Sequence, residues 1–155
     1  VIRLFPQSEF TLYGAYDSTN PHEIKPEELT KYLCPRIKYA GHVKDIRSKI
    51  INSSVVVLPS YREGFSKVLM EAQACSKPVI TSDISGCRDV IIENKTGYLV
   101  RPQDADDLAN KILFMLANIE SYDVLAKNAY DHAREKFSLA SAVSKHIEIF
   151  NNITI

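Results

Sequence analysis

At 155 residues, 45% hydrophobic and 25% charged, the chain has the composition of one folded domain with its own core, which excludes a disordered or fibrous protein. Nineteen basic residues balance nineteen acidic ones, so no global field recruits nucleic acid or anionic lipid. Three cysteines (Cys34, Cys75 and Cys87) without CxxC spacing, no signal peptide, and no apolar run near the roughly 20 residues of a membrane span lead to the expectation of a reduced, cytoplasmic protein, with Cys75 a buried thiol.

The abrupt opening VIRLFPQSEFTLYGAY reads as a helix tail running into a strand, hence as a piece of a longer protein. FTLYGAY (10–16) has the β-branched and aromatic content of a buried strand, closed by Gly14. The stretch 20–33 reads as a loop and then a short helix, with Pro26 in its first turn. RIKYAGHV (36–43) repeats strand then glycine, and 45–53 follows as a helix with Asp45 placed to cap it. SVVVLPS (54–60) is the strongest strand signal, a continuous apolar run that predicts burial on both faces.

Next come a helix over 65–75, a strand over 78–81, a Gly86 loop with a short helix to about residue 92, and a strand over 96–100. Beyond Asp104, expected as an N-cap, the pattern is helical. Leu108, Ile112 and Leu116 share one face, and Tyr122, Leu125, Ala129 and Ala133 share the next. A third helix follows Phe137. Such alternation predicts right-handed βαβ crossovers and an α/β fold, a Rossmann-like parallel sheet with helices on both faces. Ligands then belong to the loops after Tyr13, Ala40, Leu58 and Thr81.

The loop after Leu58 carries Glu63-Gly64, and Glu71 follows eight residues later. A helix starting near Phe65 presents the free amides of Phe65, Ser66, Lys67 and Val68, a partial positive charge suited to phosphate, with Gly64 permitting close approach. If helical throughout, the two acids lie about 12 Å apart. A ligand with an anionic middle and a polyol at each end fits, as in a nucleoside-diphosphate sugar, with Glu71 on ribose and Glu63 on hexose. Spacing alone also allows, and by itself favours, a dipole-favoured acid and an exposed surface glutamate.

EGFSKVLMEAQACSKPVITSDISGCRDVI resembles the E-x7-E region of retaining GT-B glycosyltransferases, specifically family 4. The likeness runs on through NKTGYLVRPQDADDLANKI to REKFS and back through YAGHVKDIRSKIINSSVVVLPSYREGF, covering residues 36–137. It implies the carboxyl-terminal, donor-binding half of a two-domain fold, spanning 1–155. The family's first strand of this half, with its diphosphate-neutralising Arg and Lys, has no counterpart, which predicts two strands with unpaired edges.

By the resemblance, Glu63 is catalytic and holds the donor sugar near the reacting carbon, and Glu71 holds the ribose. Gly64, Phe65, Ser66, Lys67 and Val68 meet sugar and diphosphate. Gly41, His42 and Val43 flank the nucleobase, and Gly86 lies near the site. Ser76 stands where the family commonly has glycine. The implied reaction transfers a hexosyl unit from UDP-sugar or GDP-sugar to an acceptor hydroxyl, without cofactor or metal, in bacterial capsule or lipopolysaccharide assembly. The acceptor glycan or lipid-linked saccharide belongs to the absent amino-terminal half, at the inner face of the membrane, so the fragment alone is expected to be inactive. A nucleotide-sugar epimerase and a non-catalytic nucleotide-sugar-binding module are the alternatives.

His22, His132 and His146 have no partners at metal spacing and are expected at the surface. Arg62 and Arg88 flank the expected site as phosphate ligands or solvated charges. The Asp104–Asp107 cluster reads as a cap with first-turn charge.

Overall fold

The computed structural model describes residues 1–16, 19 and 23–153; His22 lies outside the described residues. The chain forms two compact units, 1–46 and 47–155. Their strands make two parallel sheets, one in each unit, rather than one continuous sheet.

In the first unit, β1 (Phe10–Tyr13) pairs with β2 (Ile37–Gly41), Phe10 opposite Ile37 and Leu12 opposite Tyr39, with an irregularity between Leu12 and Tyr13. Between them lies α1 (Pro26–Thr30), whose first helical residue is Pro26 as expected. No described residue of this unit is fully buried, and Leu12 and Tyr13 are exposed, which corrects the buried strand expected over 10–16. A two-stranded ribbon has too little surface to enclose its own side chains.

The second unit holds the core. It runs α2 (Arg47–Ile51), β3 (Val56–Leu58), α3 (Lys67–Ala74), β4 (Val79–Ser82), α4 (Ser85–Arg88), β5 (Gly97–Val100), α5 (Ala105–Ala117), α6 (Tyr122–Lys136) and α7 (Leu139–Ile153). The sheet order is β3-β4-β5, all parallel, with Val56 opposite Val79 and Ile80 opposite Tyr98. Every β4 residue is buried, whereas β3 is only half-buried. This corrects the burial on both faces expected of SVVVLPS: among the described residues β4 is paired on both edges, and β3 on one only.

On one side of the sheet Ile80, Tyr98, Val100, Met115 and Leu125 close a core to which Val55, Val57, Leu108 and Ile112 add. Each such aliphatic or aromatic side chain contributes roughly 1.5–3 kcal/mol of transfer free energy. α3 buries Leu69, Ala72 and Gln73 and packs on α6, where Ala129 and Ala133 permit close approach. Asp104 caps α5 as expected, accepting from the Asp107 amide at 2.8 Å. α7 has no buried residue and carries an exposed apolar stripe of Leu139, Val143, Ile147 and Phe150. No helix among the described residues is long and apolar enough to cross a membrane.

Candidate functional site

β3 and β4 are neighbouring parallel strands, so the loops leaving Leu58 and Ser82 emerge on the same edge of the sheet. The first carries Glu63 and leads into α3; the second leads into α4 and Gly86. Their contact is close. A Cβ on Gly86 would lie 2.2 Å from the carbonyl oxygens of both Glu63 and Gly64, so only a bare Cα fits beneath that turn. The Gly86 carbonyl also accepts the Ser66 amide at 3.3 Å.

That hydrogen bond moves the helix start. The helix expected over 65–75 spans 67–74, with Ser66 as its extended N-cap (φ −72°, ψ 106°). Ser66 is buried, and its side chain makes no cap hydrogen bond. The first ladder bond runs from the Met70 amide to the Ser66 carbonyl, so the amides ahead of the ladder are those of Lys67, Val68 and Leu69. Of the set expected from the sequence, Phe65 drops out because it precedes the N-cap and Ser66 because Gly86 occupies its amide, while Leu69 joins.

The Glu63 carboxylate is half-buried and accepts a hydrogen bond from Ser60 Oγ at 2.8 Å through Oε1. Glu63 precedes the N-cap by three residues, so helix-dipole capping does not account for it. Beside it lies the fully buried Cys87. Burial chiefly pushes the Cys87 thiol above its ordinary range; a hydrogen bond with Thr81 opposes this, and the Glu63 carboxylate adds to it. The buried thiol is therefore Cys87, not Cys75, which is half-buried at the end of α3.

Glu71 is exposed, one turn beyond Lys67 on the face of α3 opposite Leu69, Ala72 and Gln73. Phe65 is half exposed, its ring edge-on to Phe137 at 5.8 Å, and Phe137 is edge-on to His132 at 5.1 Å. His132 is not the surface residue expected. It is half-buried, its Nδ1 lying 2.9 Å from Gln73 Oε1. The fully buried Gln73 amide nitrogen donates to the Val90 carbonyl at 2.8 Å and, more weakly, to that of Leu69 at 3.4 Å. Gln73 Oε1 is thus an acceptor, which assigns the proton to His132 Nδ1.

Arg88 pairs with Asp83 at 2.6 Å, and Arg62 is exposed. His146 is exposed, its Nδ1 on the Ala142 carbonyl at 2.7 Å. Gly41, His42 and Val43 lie in the first unit. Gly41 takes the left-handed φ of +66° that favours glycine, and its carbonyl accepts the Gly14 amide at 3.0 Å; His42 is exposed and Val43 half-buried. Among the described residues no three His, Cys, Asp or Glu side chains gather as a metal site requires.

The sequence family described as glycosyl transferases group 1 matches residues 2–132. The chain belongs to this family. Among its relatives, the N,N'-diacetylbacillosaminyl-diphospho-undecaprenol alpha-1,3-N-acetylgalactosaminyltransferase of Campylobacter jejuni is 35% identical over 127 residues, covering 82% of this chain and 33% of that enzyme. The Anabaena HepE structure with UDP superposes with a TM-score of 0.86 at 24% identity, covering 96% of this chain and 42% of that one. The carboxyl-terminal domain of a group 1 glycosyltransferase (LpcC) from Francisella tularensis superposes at 0.79 and 24% identity, covering 89% of this chain and 74% of that domain. This group 1 chain thus has the fold of the carboxyl-terminal half of a GT-B glycosyltransferase. It spans between about a quarter and a half of the length of the curated relatives it matches.

Proposed function

We propose that the chain is the donor-binding domain of a retaining glycosyltransferase that moves a hexosyl unit from a nucleoside-diphosphate sugar to an acceptor hydroxyl. The observation that carries this reading is a fixed carboxylate beside an uncapped helix start. Glu63 is held on Gly86 and Ser60, and the amides of Lys67, Val68 and Leu69 open α3 without a side-chain cap. Those amides and the helix dipole suit a pyrophosphate, and Lys67 adds a cation in the same turn. Glu71, outward on the face of Lys67, takes the ribose hydroxyls, and Glu63 the hexose. Gly64 brings the backbone close to the ligand. The nucleobase falls to Gly41, His42 and Val43 by the resemblance alone.

In this reading catalysis is electrostatic. Charge grows on the departing diphosphate as the glycosidic bond breaks, and preorganised amides stabilise it without reorganising. Glu63 orients the sugar and carries negative charge near the electron-poor anomeric carbon. No cofactor or metal is assigned a part. That a protein of the same fold was crystallised with UDP supports a uridine nucleotide as the first to try. The undecaprenol-linked saccharide named for the Campylobacter relative supports a lipid-linked acceptor, bound outside this chain, in bacterial surface-glycan assembly at the cytoplasmic face of the membrane.

The test uses the full-length enzyme. Glu71→Ala should weaken binding of uridine or guanosine diphosphate, read by titration calorimetry, by roughly 1–3 kcal/mol, the scale of a hydrogen bond to a charged group. Unchanged affinity defeats the ribose assignment. The anomeric configuration of the product, read by NMR from donors of known configuration, decides retention.

A further inference from the structure

We propose that Ser60 is a positioning residue for Glu63, setting the carboxylate rotamer that the transfer step needs. The inference rests on the donor-site reading above and adds to it a residue that neither motif spacing nor resemblance singled out. Glu63 is held twice. Its main chain rests on the bare Cα of Gly86, and its side chain takes the Ser60 hydroxyl on Oε1 at 2.8 Å. A glutamate has three rotatable side-chain bonds, so a pinned backbone alone leaves the carboxylate free to sweep several ångströms. The Ser60 hydrogen bond removes that freedom at its far end. Among the described residues Oε1 accepts this one hydrogen bond and Oε2 none, which leaves Oε2 for a ligand hydroxyl.

Ser60 is suited to the task by its place. It follows Leu58 and Pro59 at the end of β3, so its Cα is anchored within two residues of a strand in the packed sheet. Serine hydroxyls in loops and helix ends ordinarily bond to nearby main chain. Ser53 and Ser121 do so here, each on the carbonyl three residues earlier. Ser60 instead reaches forward three residues to a carboxylate, a use that gives the backbone nothing and fixes one side chain.

The experiment is a double-mutant cycle in the full-length enzyme with a nucleoside-diphosphate-sugar donor and its acceptor. Ser60→Ala should lower kcat by ~10- to 100-fold, the range for losing a hydrogen bond to a charged group. Uridine diphosphate affinity should stay within about twofold and Tm unchanged; Ser60→Thr, which keeps the hydroxyl, should recover most of the rate. In a Glu63→Ala background, which removes the acceptor of the Ser60 hydroxyl, Ser60→Ala should cost little further rate, because the two act as a unit.

Wild-type kcat in Ser60→Ala, equal losses in the alanine and threonine variants, or full additivity with Glu63→Ala each overturns the proposal. So does a Tm loss that accounts for the lost activity. If Glu63→Ala itself turns over normally, the donor-site reading fails; if Glu63→Ala is crippled while Ser60→Ala is not, only the role of Ser60 fails.

Discussion

Gly86→Ala puts a methyl carbon 2.2 Å from two carbonyl oxygens, those of Glu63 and Gly64, and 2.6 Å from the Glu63 carbonyl carbon. Carbon and oxygen come no closer than about 3.3 Å even in weak hydrogen-bonded contacts, so something must retreat by roughly 1 Å. Every atom in the way is main chain, and no rotamer change relieves it. The segment is also held at both ends, by β3 pairing with β4 and by the Ser66 amide on the Gly86 carbonyl.

Overpacking of this kind costs about 1–3 kcal/mol, which at about 2–4 °C per kcal/mol lowers Tm by roughly 2–12 °C. The larger effect should be on rate, because a misplacement of about 1 Å in a reacting constellation costs on the order of 100-fold. The assays are thermal unfolding and release of nucleoside diphosphate by the full-length enzyme. Gly64→Ala is the packing control, since its Cβ would meet nothing within 4 Å, and it should leave Tm unchanged. If Gly86→Ala melts and turns over as the wild type does, the Glu63–Gly64 turn does not rest on Gly86. If Tm falls but turnover does not, the placement of Glu63 is irrelevant to the chemistry.

Two further outcomes concern stability. Ser76 sits at φ +57° and closes a Schellman motif, its amide on the Gln73 carbonyl and that of Lys77 on Ala72, both at 2.9 Å. Ser76→Gly should therefore stabilise the fold by about 1 kcal/mol, and an unchanged or lower Tm speaks against it. His132 is held below its ordinary value of about 6.5, first by burial and then by Lys136, with Glu135 opposing. The unfolded chain then takes a proton more readily than the native one, so this stability term is complete above about pH 6.5 and is lost as pH falls through the folded value. Tm should drop less between about pH 7 and about pH 5 in His132→Gln than in the wild type, and equal slopes refute the assignment.

Periodicity and turn chemistry located most elements to within two or three residues, because those signals are local. Asp104 with an amide three residues on and Pro26 opening α1 each state their role within one helical turn, and the Leu125–Ala129–Ala133 face states its role within about two. What a strand's neighbours do is not written in the strand. SVVVLPS is the longer apolar run and β4 ends in the polar Thr81 and Ser82, yet only β4 is buried, because burial follows from pairing on both edges. Leu12 and Tyr13 failed in the same way, having strand character without a covering layer. Ser76 shows the reverse case. The family resemblance, which has glycine at this place, flags the position, and the left-handed φ of +57° supplies the reason.

At the candidate site the sequence named the acids and missed what holds them. Gln73 and Cys87 are an ordinary glutamine and cysteine until the chain returns through β4 and α4 to place Val90 and Thr81 beside them, and Ser60 is an ordinary serine until its own loop turns it onto Glu63. The one signal within reach was Gln73, a long polar side chain on the same helical face as Leu69 and Ala72.

The geometry of the two glutamates follows from the same return of the chain. Read as continuous helix, eight residues give a rise of about 12 Å. The structure divides that spacing in two. Residues 64–66 form a turn held on Gly86, and only from Lys67 onward does the chain rise as a helix, about 6 Å along the axis to Glu71. Glu63 is therefore placed by a contact with the neighbouring βα loop, and Glu71 by helical phase relative to the amides of Lys67, Val68 and Leu69. A residue inserted within 64–66 would disturb the Gly86 contact and leave Glu71 in register with those amides. One inserted within 67–70 would rotate Glu71 by about 100° toward the buried face of α3 and leave Glu63 where it is. The spacing of the acids is thus two separate constraints that happen to be adjacent in sequence, one tertiary and one helical.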